Sequence, residues 1–151
     1  MNLIKIKEPM SSKNEAKICL GIDFGTTNSV CSVKVKDKFK FIFDEKGETL
    51  IPTLILYNPK NKKFGNQIKK DKNYFNSIFS VKRNFTKDFQ KKIFKDDNDN
   101  KISSIEVSKD FFVYLKNLCE KNLKHNVFDC VITVPAYFDE KARSGIMRAA
   151  F

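Results

Sequence analysis

The sequence is poor in several features, and each shortage excludes something. No apolar run approaches the roughly 18 residues that a membrane-spanning helix needs. The first sixteen residues, MNLIKIKEPMSSKNEA, carry charges throughout and lack the apolar centre of a secretory signal. The expectation is therefore a chain that stays in the cytoplasm and does not cross a membrane. Four cysteines, Cys19, Cys31, Cys119 and Cys130, form no C-x-x-C pair, which removes zinc knuckles and dithiol redox chemistry. Their apolar flanks read as buried, reduced thiols. The single histidine, His125, stands at the expected end of a helix between Lys124 and Asn126. There it reads as a cation near the negative helix end rather than as a catalyst. No G-x-x-x-x-G-K-[ST] stretch occurs, so there is no Walker loop.

Arginine is also scarce: only Arg83, Arg143 and Arg148 stand among 29 basic residues. The net charge of +11 suits a partner rich in phosphates. Yet the chain is also rich in Asn, Ile and Phe, all encoded by AT-rich codons, and coding bias accounts for much of the lysine. A basic nucleic-acid binder would use Lys60, Lys62, Lys63, Lys69, Lys70 and Lys72, with Phe64, Tyr74 and Phe75 interleaved as stacking surfaces.

What is present fits one domain or part of one, since 151 residues are enough for a core but few for a two-lobed enzyme. Residues 17–43 contain three strand patterns, KICLGIDF, VCSVKVK and KFKFIF. In the second, Cys31, Val33 and Val35 share one face and Ser32, Lys34 and Lys36 the other, as in a half-buried antiparallel strand. Residues 44–105 change character and read as an inserted subdomain: a turn in DEKGET, a strand in LIPTLILY, a second turn in NPKNKKFGN, a short helix or turn in NSIFSVKRNF, and a solvated loop in KDDNDN. Ser108 is the expected N-cap of a helix running through Lys124, with Phe112, Leu115, Cys119 and Leu123 as its apolar stripe. FDCVITVPAY reads as a strand covered on both faces, ended by Pro135. Asp139 caps a last helix with Ala142, Ile146 and Ala149 or Ala150 facing inward. Coming last and most apolar, the FDCVITV strand is expected at a sheet edge.

The densest chemistry lies in GIDFGTTNS. Gly25 permits a backbone path that a larger residue resists, and Thr26, Thr27 and Asn28 supply hydroxyls and successive N–H groups to one concavity, as a phosphate cradle requires. Asp23 ends the preceding strand, where a carboxylate can hold Mg²⁺ through its water shell. Spacing alone leaves an ordinary hairpin turn as an equal alternative.

GIDFGTTNSV, SVKRNF and VITVPAYFDEKAR, in this order, resemble three segments of the seventy-kilodalton heat-shock protein (DnaK-type) chaperones: the first phosphate hairpin, the lysine segment and the proline-containing strand end. The resemblance spans residues 17–151 and implies an α/β fold, the first lobe of an actin-like (ribonuclease H-like) ATPase. In it a mixed sheet is flanked by helices, with 17–43 and 106–151 as the core subdomain, 44–105 as a small inserted α+β subdomain, and 1–16 as a leader. It implies ATP and Mg as cofactors. Asp23 would organise the metal through water, Gly25, Thr26, Thr27 and Asn28 would embrace the β/γ-phosphates, and Lys82 would be the catalytic lysine at the γ-phosphate and attacking water. Pro135 and Arg143 resemble the proline switch and relay arginine that pass nucleotide state onward. The leader, the compact insertion and ISSIEVSKDFF look most like the HscA branch, which serves iron–sulfur cluster assembly. Unfolded or iron–sulfur scaffold clients and a J-domain co-chaperone are then the implied partners, beside ATP and ADP.

The family clamps ATP between two lobes, and this chain resembles only the first. The expectation is that residues 1–151 alone bind Mg-ATP weakly and hydrolyse it negligibly. A reading of a different class is a truncated, non-enzymatic remnant or partner-binding module.

Overall fold

A computed structural model describes residues 2–7, 18–35, 37–57, 61–95 and 98–150. The main sheet is built from β1 (Asn2–Lys7), β2 (Cys19–Asp23), β3 (Asn28–Val35), β4 (Lys38–Phe41), β5 (Ile51–Pro52) and β10 (Asp129–Val134), in the order β1-β10-β2-β3-β4, with β5 pairing the start of β3. β10 runs parallel to β2 and every other pairing is antiparallel, so the sheet is mixed.

Two expectations for β10 are corrected. It is not an edge strand: β1, from the segment read as a leader, pairs with it from Asn2↔Val134 to Lys7↔Asp129. Nor is it covered on both faces: Cys130, Ile132 and Val134 are buried, whereas Asp129, Val131 and Thr133 are only half-buried. The helices lie on the first of these faces, and period-2 alternation follows from covering one side.

The helix after the insertion, α1 (Ser104–Leu123), starts earlier than expected. Ser103, not Ser108, is its N-cap: the Ser103 hydroxyl accepts from the Glu106 N–H at 3.3 Å, and the Glu106 carboxylate accepts from the Ser103 N–H at 2.8 Å. This reciprocal box satisfies two otherwise orphaned donors. Ser108 instead lies buried inside the helix. The expected stripe is in place at Phe112, Leu115 and Cys119, and Val107, Phe111, Tyr114 and Leu118 widen it. The helix ends at Lys124 in the left-handed region, φ 55°. The last helix, α2 (Glu140–Ala149), is capped by Asp139 as expected, its carboxylate accepting from the Ala142 N–H at 2.7 Å, and it buries Ala142, Gly145, Ile146 and Ala149.

Between β5 and α1 lie two small hairpins, β6 (Ile55–Tyr57) with β7 (Lys62–Phe64) and β8 (Lys92–Lys95) with β9 (Lys101–Ser103). LIPTLILY is thus two strands in different sheets. Pro52 has no N–H to extend a ladder, and the Thr53 N–H leaves it to donate to Thr27 O at 2.8 Å. The expected turn NPKNKKFGN contains strand β7; its residues 58–60, like 96–97 of the KDDNDN loop, lie outside the described residues. NSIFSVKRNF leads into a six-residue 3-10 helix, Val81–Thr86, entered through Ser80 at φ 52°. One core joins the sheet, α1, α2 and this 3-10 segment through Leu20, Ile22, Phe24, Phe85, Phe111, Phe112 and Ile146. Among the described residues, no helix is long and apolar enough to cross a membrane.

Candidate functional site

The turn joining β2 to β3 is fixed by one steric fact. A Cβ placed on Gly25 would stand 1.9 Å from the carbonyl oxygen of Asn28, closer than any non-bonded atoms approach, so only glycine closes this loop. Three contacts from Thr53 then hold it from below. Its hydroxyl donates to Gly25 O at 3.0 Å and lies 2.9 Å from the Ser29 hydroxyl, and its N–H donates to Thr27 O. Ser29 and Thr53 are both buried, so the loop rests on a satisfied polar floor. Above that floor Thr26 and Asn28 are half-buried and Thr27 is exposed.

Phe24 anchors the same turn to the helix layer. Its ring is fully buried and meets Phe112 edge-on at a centroid distance of 4.8 Å. Its carbonyl oxygen accepts a hydrogen bond from Lys82 Nζ, whose ammonium also lies 5.6 Å from the Phe24 ring centroid. Lys82 is 8% exposed. Burial pushes its pKa down from the ordinary lysine value, and the neighbouring Asp23 carboxylate opposes that shift. The chain thus carries a lysine across 58 residues to the base of the glycine turn and keeps it largely out of water.

Asp23 is exposed at the end of β2, and its Oδ1 accepts from the Thr133 hydroxyl at 2.6 Å. The parallel register sets Thr133 opposite Asp23. Among the described residues, no group of three or more His, Cys, Asp or Glu side chains could ligate a metal. A lone carboxylate oriented by a hydroxyl still fits Mg²⁺, which keeps most of its waters and takes few protein ligands.

Pro135 and Arg143 meet in one structure. Arg143 Nε donates to Phe138 O at 2.8 Å and its guanidinium reaches Ala136 O at 3.3 Å and Pro135 O at 3.5 Å, closing the turn after β10 onto α2. α2 packs in turn on the lysine segment: a Cβ on Gly145 would fall 2.9 Å from the rings of Phe85 and Phe89.

Thr53, Thr133, Phe24 and Gly145 were not singled out in the sequence. Thr133 carried a signal, since aligning the ends of the GIDF and VITV strands in parallel places it beside Asp23. Thr53 and Gly145 act through contacts far along the chain, where local spacing carries none.

Part of the basic and aromatic set that a nucleic-acid binder would use is engaged within the protein. Lys62 pairs with Asp110 at 2.9 Å, Lys63 pairs with Asp71 at 2.5 Å, and the Phe64 ring stacks on Tyr114 at 4.7 Å. Tyr74 packs on the small cluster of Leu54, Leu56 and Ile68, while Lys69, Lys70, Lys72 and Phe75 remain exposed. Lys60 lies outside the described residues.

A mixed sheet with helices on one face and a glycine-locked polar turn at the end of its first core strand is the first lobe of an actin-like ATPase fold. The model of the family described as Hsp70 protein matches residues 19–151. Curated relatives include the chaperone protein HscA homologs of Rickettsia bellii (strain RML369-C), Rickettsia prowazekii (strain Madrid E) and Rickettsia felis (strain ATCC VR-1525 / URRWXCal2). They are 38%, 35% and 33% identical over 99% of this chain. The chain belongs to the Hsp70 family. It spans 28%, 28% and 26% of the lengths of those three relatives.

Proposed function

We propose that this chain is the N-terminal ATP-binding portion of an ATP-dependent chaperone of the HscA type, assisting iron–sulfur cluster assembly. The observation that supports it most is the meeting of the buried Lys82 ammonium with the carbonyl of Phe24, directly before the glycine-locked turn. In this reading the N–H groups and hydroxyls of Gly25, Thr26, Thr27 and Asn28 bind the β/γ-phosphates. Thr53 and Ser29 keep that turn rigid. Asp23, oriented by Thr133, would hold Mg²⁺ through water; the ion would neutralise charge on the phosphate oxygens. Lys82 directs a poorly solvated positive charge at the γ-phosphate end of the cradle, where fixed charge is worth far more than in water. Pro135 and Arg143 report the state of the site through the turn they close, toward a substrate-binding region in the longer protein. Clients, among them iron–sulfur scaffold proteins, and a J-domain co-chaperone would be its partners.

Residues 17–43 and 106–151 are the core subdomain in this proposal and 44–105 the insertion. One lobe provides one wall of a clamp, so residues 1–151 bind Mg-ATP weakly, with Kd roughly 1 mM or about −4 kcal/mol, and hydrolyse it negligibly. Titration calorimetry on the chain tests this, and micromolar affinity would overturn it. In the longer protein, Lys82→Met should lower the hydrolysis rate by roughly 10²- to 10³-fold while leaving ATP bound; an unchanged rate would remove Lys82 from the chemistry.

A further inference from the structure

Among the described residues, β4 is the last strand of its sheet, with β3 on its inner side only. The register pairs Val33 with Lys40 and Val35 with Lys38, and the Ile42 N–H donates to Cys31 O at 2.9 Å. In an antiparallel ladder the hydrogen-bonded pairs alternate. Cys31–Ile42, Val33–Lys40 and Val35–Lys38 therefore exchange the inner bonds, and Phe39 and Phe41 turn their N–H and C=O groups outward. At the next outward position the edge is closed. The Phe43 N–H donates to Asn122 Oδ1 at 3.1 Å, and Asn122 Nδ2 donates to Phe43 O at 2.9 Å. The Asn122 amide thus stands where the peptide group of a neighbouring strand would, and the open edge is bounded by it at one end and by the Asp37 turn, φ 62°, at the other.

The side chains beside that edge are unusual in the same way. Phe39 is 74% and Phe41 57% exposed, on one face, while Lys38 and Lys40 are exposed on the other. Among the described residues neither lysine forms an ion pair; the neighbouring Asp37 is engaged by Lys34 at 2.9 Å. Edge strands carry lysine to repel copies of themselves, and pairing β4 with a second β4 would oppose lysines to lysines. The same lysines favour a strand of opposite charge.

We propose that the β4 edge is a docking site for an extended acidic segment of another protein, added as a further strand. Its apolar side chains at alternate positions cover Phe39 and Phe41, its Asp or Glu side chains at the intervening positions meet Lys38 and Lys40, and its backbone takes the outward groups of the two phenylalanines. This mode of recognition draws affinity from main-chain hydrogen bonds and specificity from alternate side chains. It does not depend on the nucleotide reading.

The test is fluorescence anisotropy of the full chain with labelled peptides of alternating valine and glutamate, or valine and lysine. The acidic peptide should bind and the basic one should not. Phe41→Pro removes an outward N–H without touching the bonds to β3, and should weaken binding about tenfold, the equivalent of one hydrogen bond. Lys38→Glu with Lys40→Glu, both exposed and checked by circular dichroism to leave the fold intact, should invert the preference toward the lysine peptide. Failure of the acidic peptide to bind, an unchanged preference in the charge-reversed variant, or self-association through β4 in sedimentation would each overturn the proposal, the last in favour of a second copy.

Discussion

Replacing Gly25 by alanine probes the proposed cradle with a single methyl group. The added carbon would sit 1.9 Å from Asn28 O, where ordinary contact begins at 3.4 Å, so the turn must open by about 1.5 Å. The clashing atom is backbone, and no rotamer can relieve it. Opening the loop strains or breaks the Thr53 hydroxyl bond to Gly25 O and the Thr53 N–H bond to Thr27 O. At about 1 kcal/mol each, with the buried Thr53 hydroxyl left short of a partner, the loss is about 2–4 kcal/mol. For a chain of this size that lowers Tm by roughly 5–15 °C. The control is Gly47→Ala. Gly47 has φ +79° but no atom of the described residues within 4 Å of an added Cβ, so its loss is conformational only, about 1 kcal/mol. Differential scanning calorimetry of both variants decides the matter. If Gly25→Ala melts no lower than Gly47→Ala, the turn is not sterically locked and the cradle is an ordinary hairpin.

Thr53→Val keeps the shape and removes the hydroxyl that serves Gly25 and Ser29, so chemical denaturation should show a loss of about 1–3 kcal/mol from the orphaned buried groups. Lys82 has its pKa lowered by burial, so the unfolded chain holds the proton more tightly. Stability should then rise with pH through the window just below the ordinary lysine value of 10.5. Lys82→Met should flatten that rise in denaturation curves taken at a series of pH values, and an identical rise would show that the ammonium is not desolvated. Gly145→Ala forces a methyl into the Phe85 and Phe89 rings at 2.9 Å and should cost about 1–3 kcal/mol by overpacking; its thermal melt, compared with that of the exposed Ser144→Ala control at the adjacent position, measures it.

The strands of residues 17–43 were legible because each alternates on one face, and α2 because Asp139 announces its cap. α1 was misplaced at its start although Ser103-x-x-Glu106 was present in the sequence: an acid follows Ser108 too, and Ser103 begins to matter only once β9 delivers it in an extended conformation, φ −91° and ψ 167°. LIPTLILY reads as one apolar run, and nothing local shows that Pro52 pairs with Asn28 while Ile55 pairs with Phe64. β1 was hidden by its charges. In NLIKIK the apolar alternation lasts too briefly to outweigh the lysines, and the strand is defined by its partner β10. Of the site, the residues of the turn and Lys82 could be named from motifs. The group that makes the turn rigid could not, because Thr53 lies 28 residues from Gly25 and meets it only through the β3–β5 pairing.

These contacts form one mechanical path. Phe24 fixes the glycine turn beneath α1, and its carbonyl holds the Lys82 ammonium. Lys82 belongs to the 3-10 segment that carries Phe85, whose ring stacks on that of Phe89 at 5.5 Å, and both rings lie against Gly145 of α2. α2 carries Arg143, which closes the turn containing Pro135, and that turn ends β10, the strand that sets Thr133 beside Asp23. Under the proposed function, a displacement of Lys82 toward a phosphate would have two routes to the Pro135 turn, through the Phe85–Gly145 packing and through the Asp23–Thr133 bond. Packed aromatic rings transmit displacement because close-packed interiors yield little. A hydrogen bond between an exposed acid and a hydroxyl gives way far more readily. The packing route is thus the stiffer of the two, so that in the proposed function any coupling of lysine to proline would run through α2 rather than through the sheet.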